Sequence, residues 1–161
     1  MSRNGKVCVV KLATGGKEDQ LKSEIHILQQ ISEAWEPDHP CRPYVPRGFG
    51  LVTSGGQVVG MLEELVDGTS LHEVDMDHAS SAQRREWKRQ IEHSIAQLHE
   101  GGIVWGDARP ENVLIDKAAN AWLLDFGGSS TCGWIDQDLE ETIQGDLQGL
   151  RRLAEYLGVR D

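Results

Sequence analysis

The sequence predicts an α+β fold of two small lobes, a β-rich first part carrying one helix and a helix-rich second part. Three observations carry this. A β-branched run at 6–13 and a hairpin pattern at 48–66 flank one helix in positions 1–66. Apolar stripes at spacings of three and four mark one long amphipathic helix in each part. The character of the chain changes near Gly68, where strand-type runs give way to the second long helix.

Taken in order, "KVCVVKLA" (6–13) is rich in β-branched residues and reads as a strand, ended by "TGGK". A helix follows over 18–35, with Leu21, Ile25, Leu28, Ile31 and Trp35 on one face. "EPDHPCRPYVP" holds four of the five prolines and must be a loop, because proline has no amide to pair. "GFGLVTSGGQVVGMLEELV" reads as a hairpin turning at Ser54-Gly55-Gly56. Beyond "DGTSL", a helix over 81–100 places Trp87, Ile91, Ile95 and Leu98 on one face and stops at Gly101-Gly102. Three short strands are expected next, "GIVW", "NVLID" and "AWLLD", the last two joined by a turn over 117–120. A polar acidic loop covers 127–142. A last helix over 146–157 carries Leu147, Leu150, Leu153 and Leu157, and Gly158 closes it.

A chain of 161 residues, 39% hydrophobic and 26% charged, suits one globular domain over 1–161, divided into a first lobe at 1–66 and a second at 67–161. A net charge of -10 argues against a general nucleic-acid binder or an anionic-membrane binder. No apolar run approaches the roughly 20 residues of a membrane span, and "MSRNGKVCVV" lacks the apolar core of a signal peptide. A cytoplasmic or nuclear location is expected. Cys8, Cys41 and Cys132 are odd in number and widely spaced, as expected of reduced thiols. The six histidines show no metal spacing, and His99 falls at a helix end, where a cation suits the dipole. Trp105, Trp122 and Trp134 read as packing residues, and 136–141 as a solvated acidic loop.

The chemistry concentrates in "IVWGDARPENVLID" and the "DFGG" that follows. Asp and Asn between apolar runs are turn-formers or cation ligands. Three of them at this spacing, with Phe126-Gly127, favour a site. Magnesium prefers oxygen ligands, usually one or two carboxylates completed by water and phosphates. Asn112 and Asp125 would supply an amide and a carboxylate oxygen. Asp107 would then be left to accept a proton from a hydroxyl nucleophile, and Arg109 to bring positive charge to a phosphoryl group. Phosphoryl transfer needs this division of labour. Lys11, in "VVKL", could hold nucleotide phosphates, or face water on an edge strand. Glu24, thirteen residues on, could orient Lys11, or be a solvated helix charge.

Lys11, Glu24, "WGDARPEN" and "DFG" together resemble the protein-kinase-like superfamily, whose pattern is a strand Lys, a helix Glu, H-R-D-x-x-x-x-N and D-F-G. The likeness runs from Val7 to about Leu157 and implies a truncated kinase-like α+β fold, with a small antiparallel sheet plus helix and a minimal helical second lobe. It implies ATP and Mg²⁺ as cofactors and an unidentified hydroxyl-bearing acceptor, protein or small molecule, with Ser/Thr kinase activity the leading expectation. "EELVDGTSL" resembles the inter-lobe hinge, with Glu64, Leu65 and Val66 at adenine-contacting backbone positions. Asp146 resembles the buried Asp that braces the catalytic loop; as a sequence feature it is equally a helix N-cap. The overall style resembles small kinase-like proteins of filamentous fungi.

The departures define the alternatives. No G-x-G-x-x-G precedes Lys11, "SRNG" being no substitute, and Trp105-Gly106 stands where the family has His-Arg. There is no A-P-E. Gly106-Asp107 also resembles the H-G-D loop of aminoglycoside and choline kinases, so a small-molecule kinase is one alternative. A nucleotide-binding or non-catalytic pseudokinase serving as an interaction module is another, and a piece of a longer kinase is a third.

Overall fold

The computed structural model describes residues 2–3, 6–127 and 133–159. Cys132, residues 128–132 of the acidic loop, and Asn4 and Gly5 of "SRNG" lie outside the described residues. Among the described residues, seven strands and three α-helices follow the order β1 (Ser2–Arg3), β2 (Lys6–Leu12), α1 (Glu18–Ala34), β3 (Gly48–Ser54), β4 (Gln57–Glu64), β5 (Gly68–Ser70), α2 (Ser81–Glu100), β6 (Val113–Asp116), β7 (Ala121–Leu123) and α3 (Ile143–Tyr156).

The first four strands form an antiparallel sheet in the order β1-β2-β4-β3, and the β3–β4 hairpin turns at Gly55-Gly56 as its glycines require. α1 lies across this sheet. Its buried residues Leu21, Glu24, Leu28 and Ile31 recur at spacings of three and four, and they share their core with Met61 of β4. Glu24 is the polar member of an otherwise apolar stripe, so burying it demands a partner.

The second lobe is built around β5-β6-β7, a small antiparallel sheet. α2 packs on β7 through Trp87, Ile91, Ile95 and Leu98. Two buried polar residues of α2 finish the edges: the Gln90 Oε1 accepts from the Ala121 amide at 2.7 Å, and the Ser94 Oγ accepts from the Tyr44 amide at 3.1 Å. A reciprocal capping box between Ser80 and Gln83 starts α2, an arrangement that contributes about 1 kcal/mol. α3 packs on α2, with Leu153 and, just past the helix end, Leu157 buried in the shared core.

Three expectations need correction. "GIVW" is not a strand. The Gly102 amide donates to the His99 carbonyl at 3.0 Å, the Ile103 amide to the Leu98 carbonyl at 2.8 Å and the Trp105 amide to a carboxylate, so these amides are taken from any neighbouring strand. The third strand is β5, from the "DGTSL" segment, which pairs Gly68 with Asp116 and Ser70 with Leu114. The last helix begins at Ile143 with Thr142 as N-cap, accepting from the Gly145 amide at 3.0 Å, which excludes the N-cap reading of Asp146.

Candidate active site

The site is assembled where α1, β2 and the loops after α2 and β7 meet. Lys11 lies opposite Met61 on the sheet face that looks toward α1. Its Nζ stands 2.7 Å from Glu24 Oε2 and 2.9 Å from Oε1, and it also pairs with Asp125 Oδ1. Burial works against the Lys11 ammonium, but the charge of Glu24 and the hydrogen bonds to Asp125 and Glu24 outweigh it and raise its pKa. For Glu24 burial dominates and pushes its carboxyl up, against the pull of Lys11. The Phe126 amide donates to Glu24 as well, which ties α1 to the "DFG" segment. Asp125 adopts φ 56, in the left-handed region, a conformation that costs a non-glycine residue on the order of 1 kcal/mol. Gly127, at φ +68, lets this turn approach α1 so closely that a Cβ there would stand 2.8 Å from the Ser23 Cβ.

The second half of the site rests on Asp146. This carboxylate, 1% exposed, accepts from the Trp105 amide (Oδ2) and the Gly106 amide (Oδ1) at 2.8 Å each, and its Oδ2 lies 2.8 Å from His99 Nε2. A buried carboxylate with three such partners is well compensated, and it fixes the two residues before Asp107. The Trp105 indole Nε1 donates to the Leu124 carbonyl at 2.8 Å, and the Leu124 amide donates to the Asn112 carbonyl at 2.9 Å. These bonds lock the Asp107 loop to the residue before Asp125. Behind the loop, α3 presents Gly149 so closely that a Cβ there would stand 2.6 Å from both the Ala108 Cβ and the Ala108 oxygen.

Asp107 itself is buried. Its Oδ2 accepts from Asn112 Nδ2 at 2.7 Å and lies 3.2 Å from Arg109 Nε, and the same Asn112 nitrogen donates to the Asp107 carbonyl at 3.0 Å. With its NH₂ group committed, Asn112 keeps Oδ1 free of hydrogen bonds among the described residues. Lys11, Glu24, Asp107, Arg109, Asp125 and Phe126 line a cavity of about 250 Å³. The Asn112 amide oxygen and the half-exposed Asp125 carboxylate are oxygen donors of the type that Mg²⁺ takes together with phosphate and water.

The sequence-predicted residues thus fall into two groups. Lys11, Glu24, Asp107, Arg109 and Asp125 face one cavity, and Asn112 stands immediately behind Asp107. Glu64 and Val66 lie apart, at the end of β4. The Glu64 carboxylate is spent on Arg47, at 3.1 Å from Nε and 2.9 Å from Nη2, so only its backbone could meet a ligand. The Leu65 amide donates to the Val7 carbonyl at 3.2 Å, while the Val66 amide has no partner among the described residues. Sequence reasoning missed Glu63. It shares the inner sheet face with Met61 and lines a small cavity with Glu24, Asp125 and Phe126. Burial, then the charge of Glu24, pushes its carboxyl up to about 7, against Lys11. The signal was its position two residues after Met61, since alternate strand residues share a face.

Comparison with known proteins agrees with this geometry. The family described as "Protein kinase domain" matches residues 2–142. CBL-interacting serine/threonine-protein kinase 18 of Arabidopsis thaliana is 24% identical over 128 residues, covering 80% of this chain and 23% of that protein. Mitogen-activated protein kinase kinase kinase 3 of Arabidopsis thaliana is 28% identical over 136 residues, 78% of this chain and 21% of that protein. Maternal embryonic leucine zipper kinase of Xenopus laevis is 29% identical over 119 residues, 73% of this chain and 17% of that protein. The chain spans about a quarter or less of the length of these curated relatives. With most of its length matched and a lysine, two aspartates and an asparagine arranged as described, this chain belongs to the protein kinase domain family.

Proposed function

We propose that the chain transfers a phosphoryl group from ATP to a hydroxyl, with the Ser and Thr side chains of a protein as the leading acceptor class. The observation that carries this reading is Lys11 held between Glu24 and Asp125 on the wall of a cavity that also holds Asp107 and Arg109. When bound, ATP and Mg²⁺ supply the phosphoryl group and the charge that neutralises it. Asn112 Oδ1 and the Asp125 carboxylate are the oxygens that would hold the cation. Lys11 binds nucleotide phosphates, and Glu24 keeps its ammonium from swinging into solvent. The backbones of Glu64 and Val66 meet the base, the Val66 amide being uncommitted. Asp107, oriented by Asn112 and Arg109, positions the acceptor hydroxyl and takes its proton. Arg109 offsets charge on the moving phosphoryl group.

The direct pairing of Lys11 with Asp125 favours a second reading, because it occupies the carboxylate that would otherwise face a cation. On that reading the domain binds nucleotide without transferring phosphate. Calorimetric titration with ATP, with and without Mg²⁺, separates the two, with Asp125→Ala as control. Phosphotransfer predicts magnesium-dependent binding that falls at least tenfold in Asp125→Ala, together with ADP release in the presence of a hydroxyl acceptor. Protein and small-molecule acceptors compared side by side then test the acceptor class. Binding that ignores magnesium supports the second reading, and no binding at all overturns both.

A further inference from the structure

We infer that Lys17 is a phosphate-contacting residue of this site, gripping the nucleotide's terminal phosphates from the α1 side. The inference rests on the nucleotide-site reading above and adds to it a residue outside the motifs that suggested it. The same cavity of about 250 Å³ is also lined by Thr14, Lys17, Gln20 and Leu21, from the turn after β2 and the first turns of α1. Three cations line the cavity, Lys11, Lys17 and Arg109, together with three carboxylates, Glu24, Asp107 and Asp125.

These cations are not equally available. Lys11 is held by two carboxylates, Glu24 and Asp125. The Arg109 Nε stands 3.2 Å from Asp107. Lys17 is exposed and makes no ion pair or side-chain hydrogen bond among the described residues. A triphosphate entering a cavity that already holds three carboxylates needs positive charge that those carboxylates have not cancelled. Lys17 is the uncancelled cation on the cavity wall. Its long stem lets the ammonium reach inward without moving the backbone, and a lysine acts on phosphate as a mobile point charge. The turn that carries it is open: Gly15 and Gly16, at φ +60 and +81, have nothing within 4 Å of where a Cβ would lie, so a ligand can approach the backbone there.

The test is a calorimetric series with adenosine, AMP, ADP and ATP, in Mg²⁺, on the chain and on Lys17→Ala and Lys17→Arg. Lys17→Ala is expected to keep adenosine affinity and thermal stability. It should lose ATP affinity about tenfold, with a smaller loss for ADP, and Lys17→Arg should recover part of it. Electrostatic binding also predicts that the difference between wild type and Lys17→Ala shrinks as salt is raised. If wild type and Lys17→Ala bind ATP equally, Lys17 has no such role while the nucleotide site stands. If wild type discriminates no phosphorylated nucleotide from adenosine, or binds none of the series, the inference falls together with the nucleotide-site reading.

Discussion

At the scale of single residues, the site is a problem of excess negative charge. Glu24, Glu63 and Asp125 surround one lysine, from α1, β4 and the loop after β7. Lys11 can satisfy two of them, and Glu63 is the one left to be neutralised by a proton. Its pKa of about 7 lies above the ordinary glutamate value of 4.5, so the folded state binds this proton more tightly than the unfolded chain. The Glu63 contribution to stability is therefore fully present below pH 4.5, is lost as pH rises through 7, and is constant above that. Glu63→Gln removes the effect. Urea unfolding should show the variant gaining on wild type by about 1–2 kcal/mol between pH 5 and pH 8, solvent screening of a partly exposed group keeping the figure this low. An unchanged difference between the two pH values would mean that Glu63 is ionised and solvated throughout.

Among elements, the decisive contact is α3 against the Asp107 loop. Asp146, one turn before Gly149 on that helix, holds two loop amides, and Gly149 removes the side chain that would keep the loop away. Without Asp146, two buried N–H groups would lose their acceptor, each worth about 1–3 kcal/mol. Gly149→Ala keeps those bonds in principle but drives a methyl into Ala108, which is fully buried and cannot retreat. The expected result is a loss of about 1–3 kcal/mol of stability and a displaced Asp107. In phosphotransfer assays kcat should fall severalfold while ATP affinity is retained, since Lys11 and Asp125 sit on other elements. A matching fall in ATP affinity would show that the helix supports the whole cleft rather than the Asp107 loop.

Across the whole molecule, α1 joins the lobes by two unlike ends. Its C-terminal end is anchored by packing, Trp35 closing against Gly101 at the end of α2, and the loop that follows is held by hydrogen bonds, the Tyr44 carbonyl accepting from the Leu123 amide and the Tyr44 amide donating to the Ser94 hydroxyl. Its N-terminal half is latched by charge, through Lys11, Glu24 and Asp125. The anchored end is the fixed joint and the charged end is the part that can open. Hydrogen exchange on Asp125→Ala should accordingly rise in β2 and the first half of α1, with residues 35–45 unchanged. A uniform rise along α1 would contradict this division.

The local features were legible from sequence because they are set by local sterics and periodicity. The α2 boundaries, the glycine stop after them, the β3–β4 hairpin and the buried stripe of α1 all follow from residue spacing. Asp107, Asn112 and Asp125 could be singled out because their residue types and spacing suit a cation and a phosphate. What required the tertiary structure is everything that depends on which distant group arrives opposite. "GIVW" has the composition of a strand, yet its amides meet Leu98 and Asp146 instead of another strand. His99 was read as a helix-end cation and turns out to face Asp146. Glu63 is an ordinary glutamate until sheet register places it among two other carboxylates and Lys11. Periodicity states which side of an element is apolar. Register and helix packing alone decide which charges share that side, and in this chain those charges make the site.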